Sequence, residues 1–145
     1  MKFGSIFLFA VLVSFSCSKD KYASKPQLKL KDISGNYVPR GAGIQITIEF
    51  TDAEGDITGN LGVQKISSTC DQASYIDTLK YAIPSFPSTN NQKGDILLTF
   101  STLDLAPFEC NGQDTLEQAT FKFWVNDKGG HQSDTLVIPP VTIEK

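Results

Sequence analysis

Residues 44–51 read Ile44-Gln45-Ile46-Thr47-Ile48-Glu49-Phe50-Thr51. Apolar and polar side chains alternate at every position. Successive strand residues point to opposite faces, so this run predicts a half-buried β-strand with Ile44, Ile46, Ile48 and Phe50 inward. A second run, Thr120 to Asp127 (TFKFWVND), places Phe121, Phe123 and Val125 on one face and Lys122 and Trp124 on the other. In DILLTFS (95–101), Ile96, Leu98 and Phe100 point inward and Leu97 is left partly exposed. Weaker strand patterns cover Leu28 to Leu30, 61–67, 75–83 and 135–143. Pro139-Pro140 bars a regular central strand, so the last segment is expected to be an edge strand or to change its pairing there. Gly- and Asp-rich punctuation separates the runs, and no window of helical period follows the leader. Residues 103–109 (LDLAPFE) offer one short helical turn at most. About seven short strands predict an all-β fold, a β-sandwich, with a small barrel as the structural alternative.

The N-terminus reads differently. Met1-Lys2 precedes an uncharged apolar run ending at Val13-Ser14-Phe15-Ser16-Cys17. One early cation followed by a short apolar stretch describes a secretory leader, too short for a membrane span of about 20 residues. The small residue directly before Cys17 resembles a lipobox, which implies cleavage after Ser16 and a lipid on Cys17. The competing reading is an ordinary cleaved signal with an incidental cysteine. The expected organisation is a lipoprotein signal peptide over 1–16, a flexible tether over 17–26, and one domain over 27–145. By the same resemblance to lipoproteins, Ser18 rather than Asp beside the cysteine implies the outer membrane, with its face left open.

Charge narrows the partners. Lys and Arg number 13 against 16 Asp and Glu, a net charge of −3, which disfavours nucleic acid as a partner. With Cys17 assigned to the anchor, Cys70 and Cys110 remain as an even pair in an exported chain, and a disulfide is the expected use. Closing a loop of about 40 residues contributes roughly 4 kcal/mol through the unfolded state.

ITIEFTDAEGDITGN (46–60) and FKFWVNDKGGHQSDTLVIPPVTI (121–143) together resemble the immunoglobulin-like lipoproteins of Bacteroidetes-type genomes. That resemblance implies an immunoglobulin-like β-sandwich, akin to cadherin, PKD and fibronectin-III modules, in a lipid-anchored envelope protein. The leading expectation for function is a non-enzymatic binding or accessory module that recognises an envelope protein or a glycan. The alternative is a carbohydrate-binding accessory lipoprotein of a surface glycan-uptake system. Trp124, Tyr75, Tyr81 and Phe86 would serve as a stacking platform there if they faced outward together.

Asp52, Glu54 and Asp56 form the acidic cluster of the sequence, and Asp127 joins it if the last hairpin folds to the same end. Calcium takes six to eight hard oxygens at flexible geometry, so it is the cofactor these residues suit. The cluster is not an EF-hand, and a solvated turn is the competing reading. His131, with Ser133 and with Asp127 or Asp134, has the residue types of a hydrolytic triad but no nucleophile elbow, so a surface-loop histidine is expected. No catalytic residue is assigned.

Overall fold

The computed structural model describes residues 22–68, 76–101, 104 and 115–144. The leader, Cys17, Tyr75, the Cys70 and Cys110 pair and most of the 103–109 turn lie outside the described residues. The strands are β1 (Gln27–Ile33), β2 (Tyr37–Val38), β3 (Ile44–Asp52), β4 (Ile57–Ser67) and β5 (Ile76–Ala82). They continue with β6 (Gln92–Phe100), β7 (Leu116–Asp127), β8 (Leu136–Val137) and β9 (Val141–Glu144). Eight of these correspond to the seven runs expected from the sequence, with 135–143 split into β8 and β9. β2, a two-residue strand, carries too little alternation to be recognised.

Two sheets face each other. One has the order β1-β3-β6, and the other β2-β9-β7-β4-β5, with β8 beside β7. In immunoglobulin terms β1, β3 and β6 take the A, B and E positions. β4, β7 and β9 take C, F and G, and β5 extends the second sheet beyond C. The fold is an all-β, immunoglobulin-like sandwich, and the barrel alternative is discarded because the sheets do not close. Pro139-Pro140 splits the last strand without moving it to a new neighbour. β8 and β9 both pair antiparallel with β7, and the Ile138 amide still donates to the Phe121 carbonyl. β9 is not an edge, because β2 lies parallel against its other side.

The alternating runs decide the core. β3 turns Ile44, Ile46, Ile48 and Phe50 inward, and β7 turns Ala119, Phe121, Phe123 and Val125 to meet them. The rings of Phe100 and Phe121 stack across the sheets at 5.7 Å between centroids. Each inward row also runs past the apolar centre. On β3 it ends in Asp52, on β4 in Lys65 and Ser67, and on β7 in Glu117 at one end and Asp127 at the other, all buried. The two ends of the sandwich core are therefore ionisable.

Candidate functional site

Asp52 occupies the last inward position of β3, where period two dictates that it faces the core. The chain then turns back through Ala53-Glu54-Gly55-Asp56 into β4. The Asp56 amide donates to Asp52 Oδ2 at 2.9 Å, so the first carboxylate holds the turn that brings in the third. Gly55 makes that turn possible, because its φ is +65° and a Cβ there would lie 1.9 Å from the Thr89 carbonyl oxygen. β4 begins with Ile57 opposite Asp127, the last inward residue of β7. The Lys128 amide donates to the Asp56 carbonyl at 3.3 Å and ties the two loops together.

The carboxylates of Asp52, Asp56 and Asp127 consequently converge, with ligand atoms within 4.8 Å of one another. Glu54, the fourth residue expected in the cluster, is exposed on the outside of the turn and does not belong to this trio. Asp52 has no solvent exposure, and Asp127 retains 7%. Asp52 Oδ1 and Asp56 Oδ1 are enclosed without a hydrogen-bond partner. Burial pushes the Asp52 carboxyl above the usual carboxylate range, the Asp56 amide opposes the shift, and the Asp56 charge adds to it.

Asp127 is held from the other side. The His131 amide donates to its Oδ1 at 2.7 Å, and His131 Nδ1 lies 2.7 Å from its Oδ2. That hydrogen bond and the Asp127 charge raise the imidazole above its ordinary value. The Asp–His half of a hydrolytic constellation is thus assembled, but the hydroxyl is committed elsewhere. Ser133 is buried, and its Oγ accepts from the Val125 amide at 3.1 Å. Asp134 binds Lys25 instead.

The aromatic residues do not share one surface. Trp124 lies on the outer face of its sheet over Gly62, whereas Tyr81 packs edge-on to Phe100 and Phe86 stacks on Phe50 inside the sandwich. Tyr81, Ile83, Phe86 and Ile96 help to line an apolar cleft of about 520 Å³ between the sheets, beside β5 and β6. The cleft follows from the unequal sheets, and no sequence pattern announced it.

A second buried polar feature carries a signal in the sequence. Lys65 Nζ lies 3.0 Å from Glu117 Oε2, an enclosed ion pair at the opposite end from the aspartates. Its signal is a charged residue in phase with an apolar row, at 61-63-65 on β4 and at 117-119-121 on β7.

No protein-family model matches the chain, and a comparison with the curated proteins finds no match. Among solved structures, the chain is similar to the sporulation control protein Spo0M of Bacillus subtilis, at 12% identity and a TM-score of 0.49. That likeness covers 85% of this chain and 51% of the other, so the chain spans about half of that protein's length. It is also similar to a Niemann-Pick type C2 protein from the Japanese carpenter ant, at 12% identity, a TM-score of 0.42, and 87% and 98% coverage. These likenesses concern the fold alone.

Proposed function

We propose that this chain is a lipid-anchored, non-enzymatic binding or accessory module of the cell envelope, held to the outer membrane through Cys17. The apolar leader that ends at Ser16-Cys17 carries this reading, and the place where the chain joins the sandwich bears on its orientation. The Tyr22 amide donates to Asn91 Oδ1 at 3.2 Å, and the Ala23 carbonyl accepts from Ala53 at 3.1 Å. Residues 22–26, the later half of the stretch expected as a tether, thus already lie against the domain at its aspartate end. Cys17 precedes Tyr22 by five residues, a reach of about 17 Å at full extension. A lipid on Cys17 would hold the aspartate end toward the bilayer.

The opposite end then faces away. β4 ends there at Ser67, β6 ends there at Phe100 and β7 begins there at Leu116. Recognition on such a scaffold usually gathers at one end, and this is the end we assign to partner binding. Cys70 follows Ser67 by three residues in the sequence and Cys110 precedes Leu116 by six, so a disulfide between the two would tie these strand ends together. The engagement of Ser133 with Val125 supports a role without catalysis.

Fractionation of cells carrying wild type and Cys17→Ala tests the proposal. Wild type should enter the outer-membrane fraction with a diacylglyceryl mass on Cys17, and the variant should leave that fraction unlipidated. Wild-type protein in the soluble fraction with an unmodified N-terminus would overturn it.

A further inference from the structure

We propose that Asp52, Asp56 and Asp127 bind a calcium ion that clips the end of β3 to the end of β7. A buried polar atom without a partner is costly, and a buried carboxylate more so. Here two enclosed oxygens, Asp52 Oδ1 and Asp56 Oδ1, lack a hydrogen bond, and both belong to the same three-carboxylate cluster. Asp52 is fully enclosed, so its carboxylate is shut off from bulk solvent. Among the described residues, the basic side chain bonded to the trio is the imidazole of His131, and it engages Asp127 alone. Three carboxyl groups thus converge beside a single imidazole at this end of the core.

The donor set selects the ion. Among the described residues the three ligands are all hard carboxylate oxygens, which suits calcium and magnesium over zinc or copper. His131 serves as an outer support, fixing Asp127 through both oxygens while leaving lone pairs for a metal. The ligands come from a strand end, a turn and a strand of the facing sheet. Such a mixed frame adapts to calcium's variable geometry more readily than to the strict octahedron of magnesium. Water would complete the coordination.

The test uses the full chain, extracted in detergent, stripped of metal with EDTA and desalted, then melted with added CaCl₂ or MgCl₂. Calcium should raise the melting temperature saturably, with half-saturation at about 0.1–1 mM, the range of extracellular modules. At ten times that concentration the rise should be about 5 °C. Magnesium should do markedly less. Asp56→Asn, at a half-buried position, should weaken the calcium response at least about tenfold, and Asp52→Asn should abolish it. If Asp52→Asn does not fold, Asp56→Asn alone decides. Superimposable wild-type melts in calcium and in EDTA overturn the proposal. A calcium response that survives undiminished in Asp56→Asn also overturns it, because the ion would then bind elsewhere.

Discussion

The indole of Trp124 occupies the space that a side chain on Gly62 would need. The two residues are register partners on β7 and β4, and a Cβ on Gly62 would lie 2.1 Å from Trp124 Cε2. Gly62 is thus required by its neighbour rather than by its own backbone. Gly62→Ala should destabilise the domain by about 1–3 kcal/mol through overpacking, read as a lower denaturant midpoint. With Trp124→Leu already in place, the same change should cost much less, since the two residues share one contact.

Lys65 and Glu117 hold each other at the far end of the core, 6% and 0% exposed. Lys65→Met leaves a carboxylate enclosed without its ammonium partner, and the expected loss is about 3–5 kcal/mol. Replacing both, Lys65→Met with Glu117→Leu, should restore most of that loss, because the desolvation of both charges disappears together. Urea unfolding of the three proteins measures this. A double variant no better than the single one would contradict it.

In metal-free protein, His131 should make stability fall with rising pH near neutrality. Its folded value is raised by the Asp127 hydrogen bond first and the Asp127 charge second, with Glu54 and Asp56 adding. A raised value means that the folded state holds the proton more tightly. The stabilisation is complete below the unfolded value of about 6.5 and is lost as pH rises through the higher folded value. Asp52, also raised, loses its contribution in the same direction but starting from the carboxylate range. His131→Gln should therefore flatten the melting temperature between about pH 6 and 8 and leave the acid limb in place.

Cys70 and Cys110 should be joined in the exported protein. Ser68, two residues before Cys70, donates its amide to the Gln118 carbonyl at 2.8 Å, eight residues after Cys110. The described residues that flank the two cysteines in sequence are therefore hydrogen-bonded neighbours, and reach does not prevent pairing. Intact mass after alkylation under non-reducing, denaturing conditions should show no added label on either residue. Two labelled thiols would refute the pairing.

The sequence by itself determined the strands and their faces. In 44–51 and 120–127 each side chain's direction follows from its parity, so Ile46, Ile48, Phe121 and Phe123 are core residues before any partner is known. Pro139-Pro140 likewise marks the break between β8 and β9 through its missing amides. What period two cannot supply is the partner across the sheet, because register and strand order are set by contacts far apart in the chain. Only the tertiary structure brought Asp127 to Asp52 and Asp56 and left Glu54 outside, although Glu54 lies between those two aspartates in the sequence. Lys65 and Glu117 were two misplaced charges until β4 and β7 paired. Packing strands from opposite sheets around one apolar centre put the ends of their inward rows together, and those ends are where the charges stand.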